Sequence, residues 1–134
     1  MNKIDLRVGN LVEILTANKK INLPTGQFGT IEEIREEKVK IRLRNESSDM
    51  VHVFNRKYDT IKPIKLTHDW MLKLGFEEID NGRYKHWNFD FIFYFYVNGQ
   101  LESDDLPMFI YYEYVNEIQN LYYALTGDEF KMKI

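Results

Sequence analysis

Residues 76–102 read FEEIDNGRYKHWNFDFIFYFYVNGQLE, and the fold of the second half of this chain turns on how they are divided. Asn81-Gly82 and Asn98-Gly99 are two-residue hairpin turns, because Asn and Gly tolerate the positive φ that such turns require. Asn88 breaks the apolar run between them, so an antiparallel meander is expected. Within it, Phe89, Phe91, Phe93 and Phe95 fall on one face of a strand, and Asp90, Ile92, Tyr94 and Tyr96 on the other. A strand carrying large side chains on both faces reads as central, covered on each side by another layer. Of the 20 Phe, Tyr and Trp residues, 17 follow Leu66, so the second half must hold most of the aromatic burial.

Immediately upstream, LTHDWMLKLGF (Leu66–Phe76) carries the signals of a short helix. Thr67 can cap it, Asp69 suits its first turn, and Gly75 can supply the left-handed residue that ends it. Trp70, Met71 and Leu74 then turn inward. Downstream, YVNEIQNLYYALTGDEF (Tyr114–Phe130) reads as an amphipathic helix ending at Gly127. At 100° per residue, Tyr114, Val115, Ile118, Leu121, Tyr122 and Leu125 share one sector, the expected core face. Opposite lie Asn116, Gln119, Asn120 and Tyr123, joined by Tyr112 if the helix starts early, while Glu113 and Glu117 form only a flank. A stripe of tyrosine and amides, almost without charge, suits contact with a partner. The same stripe would serve equally to seal the helix against the first half of the chain.

Residues 1–66 read as about five short strands: Asn10–Leu15, Phe28–Ile34, Lys38–Arg44, Met50–Phe54 and Ile61–Leu66. The third alternates cleanly, with Val39, Ile41 and Leu43 on one face and Lys38, Lys40, Arg42 and Arg44 on the other. These cations recur every ~6.6–7 Å along a strand, close to the spacing of phosphates on one nucleic-acid strand. They are candidate contacts to nucleic acid or to an acidic surface; an ordinary solvated strand face has the same pattern. The order of glycine, strand, loop, GTIEEI, basic strand, strand and IKPI resembles an SH3-like barrel. The expected fold class is therefore α+β. A small SH3-like β-barrel or rolled sheet (1–66) precedes a helix, a meander and an amphipathic helix (67–134), the halves packed as one unit.

Catalytic chemistry is not legible. The chain has no cysteine, which excludes disulfides, thiolate metal sites and cysteine nucleophiles. His52, His68 and His86 lack metal-ligand spacing and read as ordinary strand and helix residues. Gly26-Gln27-Phe28-Gly29 is too short for a phosphate loop, and Asp104-Asp105 reads as capping ahead of Pro107. No cofactor, no metal and no enzymatic activity are expected. Nothing approaches the ~20 apolar residues of a membrane span, and MNKIDLRVGN lacks the apolar run of a signal peptide. Net charge is −3, but residues 1–66 carry 13 Lys and Arg against 9 Asp and Glu, and residues 67–134 carry 5 against 12. Such asymmetry steers charged partners.

Lys62–Phe76 (KPIKLTHDWMLKLGF) and Tyr114–Gly127 (YVNEIQNLYYALTG) also resemble two stretches that recur in a family of small bacterial phage and prophage proteins. There a proline-containing strand leads into LT..W and LGF, and a helix of the type QNLY.ALTG comes last. The resemblance implies a mobile-element accessory protein in a bacterial cytoplasm. That class includes inhibitors of host defence, among them anti-CRISPR proteins. The expectation is a non-enzymatic protein that binds a host protein or ribonucleoprotein, with RNA contact and homodimer formation both open. The alternative is an SH3-like nucleic-acid-binding module acting through the basic strand.

Overall fold

The computed structural model describes residues 6–15, 28–43, 53–103 and 111–132. The chain is mixed α+β and divides into two compact units, Met1–Ile64 and Lys65–Ile134.

The first unit is an antiparallel sheet of β1 (Leu11–Ile14), β2 (Phe28–Ile34), β3 (Lys38–Leu43), β4 (Val53–Lys57) and β5 (Ile61–Pro63). Its strand order is β4-β3-β2-β1-β5. A single 3-10 turn, Tyr58–Thr60, leads into β5. The alternation read in β3 is realised: Val39, Ile41 and Leu43 are buried while Lys38 and Arg42 are exposed. Val12, Ile31, Val39, Ile41 and Ile61 pack together with Leu6 as the unit's core. Of the two expected forms, barrel or rolled sheet, the closed barrel is not seen among the described residues: the sheet is open, since β4 and β5 are its two edges. β5 is also shorter than the Ile61–Leu66 strand expected, because Pro63 brings no N–H to a ladder.

The second unit begins with α1 (His68–Lys73), where the Thr67 hydroxyl accepts the Trp70 backbone N–H at 3.2 Å. A second antiparallel sheet follows, made of β6 (Phe76–Asp80), β7 (Arg83–His86), β8 (Phe89–Phe95), β9 (Leu101–Ser103) and β10 (Tyr111–Tyr112). Its order, β10-β9-β8-β7-β6, is the expected meander. Asn81-Gly82 joins Asp80 to its partner Arg83, and Trp87-Asn88 joins His86 to Phe89. Asn88 thus closes a tight turn between two strands. The inner face carries Phe76, Tyr84, His86, Phe93, Leu101 and Tyr112, all buried. Phe76 meets Phe93 edge-on at 5.7 Å, and Phe93 meets Tyr112 at 6.4 Å, arrangements that suit the aromatic quadrupole.

α2 (Val115–Thr126) ends at Gly127, whose φ of +76° places it in the left-handed region and whose N–H reaches the Tyr123 carbonyl. Its start is fixed by Glu117, whose carboxylate accepts the backbone N–H of Glu113 and Tyr114 at 3.0 and 2.9 Å. That makes Glu117 a capping group rather than a passive flank. The buried residues of α2 are Val115, Asn116, Ile118, Gln119 and Tyr122. Leu125 is exposed and Leu121 only half-buried. The buried arc is therefore turned about 75° from the one read from the sequence, towards the amides, counting 100° per residue.

Candidate interaction surfaces

Three surfaces bear on function, each built within one unit. The first is the helix stripe. Asn116 and Gln119 are 3% and 4% exposed, and Tyr112 is buried in β10. These three cannot meet a partner without rearrangement, which corrects their placement on an outer face. Of the proposed contacts, Asn120 is half-buried and only Tyr123 is well exposed. The physical reason is that the arc of Leu, Val and Ile does not by itself fix which way a helix faces.

The second surface is the basic face of the first sheet. Lys38 lies opposite Lys57, Lys40 opposite Asn55, and Arg42 opposite Val53. Directly opposed residues of adjacent strands share a face, so the cations of β3 are extended by Lys57 on β4. Part of this charge is cancelled. The Arg42 guanidinium binds the Glu32 carboxylate, and Arg35 pairs with Glu33 at 2.8 Å. Hydrogen bonding and charge attraction from Arg35 hold the Glu33 carboxyl below its usual range. Among the described residues, Lys38, Lys40 and Lys57 enter no ion pair within 4.0 Å, although Glu33 lies opposite Lys40 and is drawn down by its charge. Arg44, the fourth cation read in this strand, lies outside the described residues, as does His52.

The third surface was not singled out in the sequence. Register places Asp80, Arg83, Tyr94, Glu102 and Tyr111 in one row across the five strands of the second sheet. Tyr94, Tyr96 and Tyr111 are 37%, 38% and 45% exposed. Their rings lean edge-on against one another, at 4.9 Å between Tyr94 and Tyr96 and 6.3 Å between Tyr96 and Tyr111. The Tyr96 hydroxyl donates to the Glu102 carboxylate, which fixes the middle ring of the three. β8 was expected to be covered on both faces, and this face is open instead. The alternation of large residues in β8 signals that both faces carry rings; it cannot tell which one a helix will cover.

His68 Nδ1 shares a hydrogen bond with the Tyr84 hydroxyl and lies 4.0 Å from Glu78. Burial, and then the Glu78 carboxylate, push the Tyr84 phenol above its ordinary value. Burial similarly raises Tyr112, with Glu117 adding to it. Among the described residues no group of three or more His, Asp or Glu side chains is placed to hold a metal ion. No helix among them is long and apolar enough to cross a membrane. Compared with protein-family models, curated proteins and solved structures, the chain gives no match in any of the three.

Proposed function

We propose that this is a non-enzymatic interaction protein of the phage accessory kind, and that it binds a host protein or nucleoprotein through the open face of its second sheet. The observation that carries the reading is the cluster of Tyr94, Tyr96 and Tyr111 on that face. An open sheet face is ordinarily polar, whereas tyrosine gives a partner large, rigid, amphipathic area at little cost in conformational entropy. The edge-on contacts and the Tyr96–Glu102 hydrogen bond hold the rings in place before a partner arrives, which lowers the cost of binding. The resemblance of Lys62–Phe76 and Tyr114–Gly127 to phage proteins supports a role against host machinery. Inhibition of a defence nuclease, as by anti-CRISPR proteins, falls within it. Affinity capture from a bacterial lysate, with and without nuclease, tests the proposal. A partner retained after nuclease treatment supports it; recovery of no specific partner in either arm opposes it.

A second reading rests on its own observation, the Lys38, Lys40 and Lys57 face. In that reading the first unit is an SH3-like module that binds nucleic acid. The strand order β4-β3-β2-β1-β5, with a 3-10 turn before the last strand, supports the SH3-like description. Binding of this kind falls steeply with salt, so absence of any RNA or DNA shift at ~50 mM salt would remove this reading.

A further inference from the structure

The helix-bearing face of the second sheet holds a cleft of about 480 Å³, walled by His86, Trp87 and Tyr122 and rimmed by Asp128, Glu129 and Lys131. We propose that this cleft receives a guanidinium group, the side chain of an arginine on a partner protein, stacked on the outer face of the Trp87 indole. The inference goes beyond the reading of the tyrosine face and does not rest on it, because His86 and Tyr94 belong to opposite faces of the sheet.

Trp87 is 77% exposed, far more than a tryptophan placed for packing. Yet it is not loose. One face of its indole stacks on the His86 imidazole, with centroids 5.8 Å apart and planes at 28°. His86 in turn is buried among Phe76, Tyr122 and Phe130. Asn88 ties the wall together: its backbone N–H donates to His86 Nδ1 at 3.1 Å, and its side-chain amide donates to the Tyr122 hydroxyl at 2.9 Å. Because Nδ1 accepts, a neutral imidazole here carries its proton on Nε2. The wall behind the indole is thus held in place, and the exposed indole is an electron-rich platform.

Charge selects the occupant. Residues 67–134 carry 5 Lys and Arg against 12 Asp and Glu, so the surrounding field favours cations and repels phosphate. Asp128 and Glu129 line the cleft and bring two carboxylates to it. Indole is the strongest aromatic partner for a cation, and a planar guanidinium both stacks on it and binds carboxylate with two hydrogens. Lys131 on the same rim opposes a cation, which gives the proposal a sign test of its own.

The test uses N-acetyl-arginine amide, its neutral citrulline counterpart and adenosine 5′-monophosphate, titrated into the full chain and followed by the amide and indole signals of its NMR spectrum. The arginine compound is expected to shift Trp87 and Asn88 saturably, with a dissociation constant on the order of 1–10 mM, as befits one small fragment. Citrulline should bind at least about tenfold more weakly. Trp87→Ala, at an exposed position, should leave the rest of the spectrum intact and abolish the shift at Asn88. Asp128→Asn with Glu129→Gln should weaken binding, and Lys131→Gln should tighten it. No saturable shift, equal binding of citrulline, tighter binding of the nucleotide, or weakening by Lys131→Gln would each overturn the proposal.

Discussion

Replacing Gly75 by alanine tests how the second unit is locked around His86, and Gly127 supplies the control. Both glycines have positive φ, +96° at Gly75 and +76° at Gly127. Their surroundings differ. A Cβ on Gly75 would lie 3.1 Å from His86 Nε2 and 3.5 Å from His86 Cδ2, whereas one on Gly127 meets nothing within 4 Å. The backbone penalty for an L-residue in this region is about 1–2 kcal/mol at either site. At Gly75 the imidazole must also give way, and it is held by the Asn88 N–H and by three aromatic rings. Displacing a packed ring of this kind costs about another 1–2 kcal/mol. Gly127→Ala should therefore lose about 1–2 kcal/mol and Gly75→Ala about 2–4 kcal/mol. Both tryptophans, Trp70 and Trp87, belong to the second unit, so urea unfolding followed by tryptophan fluorescence reports that unit. Measured as an increment within a His86→Ala background, Gly75→Ala should cost only the backbone part. Equal losses for the two glycines, or a larger one at Gly127, would refute the account of the His86 wall.

Other outcomes follow from single contacts. Thr67→Ala removes the cap that the Trp70 N–H donates to and should cost about 1 kcal/mol by the same urea assay, with Thr67→Ser close to wild type. Glu117→Ala frees two backbone N–H groups at the start of α2 and should cost about 1–3 kcal/mol, readable as reduced amide protection at Glu113 and Tyr114. The phenols of Tyr84 and Tyr112 are raised above 10.0 by burial and neighbouring carboxylates, so folding favours their protonated forms. The stability this confers is complete below the ordinary tyrosine value and is lost as pH climbs through the raised values. Unfolding midpoints should fall above about pH 10, and Tyr112→Phe should flatten part of that fall. On the first sheet, Lys38→Glu, Lys40→Glu and Lys57→Glu together should leave the fold intact and abolish any salt-sensitive binding of RNA or DNA; unchanged binding would place the contact elsewhere.

What was legible in the sequence was local. Asn81-Gly82, Thr67 and Gly127 act through their own backbone and nearest neighbours, so their roles survive intact in the fold. β3 was equally plain, since strict alternation leaves one arrangement in which Val39, Ile41 and Leu43 are all covered. What failed depended on distant segments. α2 turned its amides inward because the side it presents to the core is decided by tertiary packing, and Asn116 and Gln119 give no advance notice of burial. β8 has rings on both faces, so its open side could not be read from pattern. The Trp87 cleft was beyond reach for the same reason: its lining runs from Gly75 through the Trp87-Asn88 turn to Met132. Only the fold brings these residues together. The stripe was read from the helical wheel, and the burial of Asn116 and Gln119 takes two of its side chains off the surface.

The most direct test of the central claim compares capture by the wild-type chain with capture by a Tyr94→Ser, Tyr111→Ser variant, from one nuclease-treated bacterial lysate. The two side chains are 37% and 45% exposed and lie outside the buried core, so the variant should fold normally. If the tyrosine face is the contact surface, a host protein enriched on the wild type should fall at least about tenfold on the variant, the effect of one interfacial hot spot. The Lys38, Lys40, Lys57 variant should retain it. Equal enrichment on the wild type and the tyrosine variant would contradict the account.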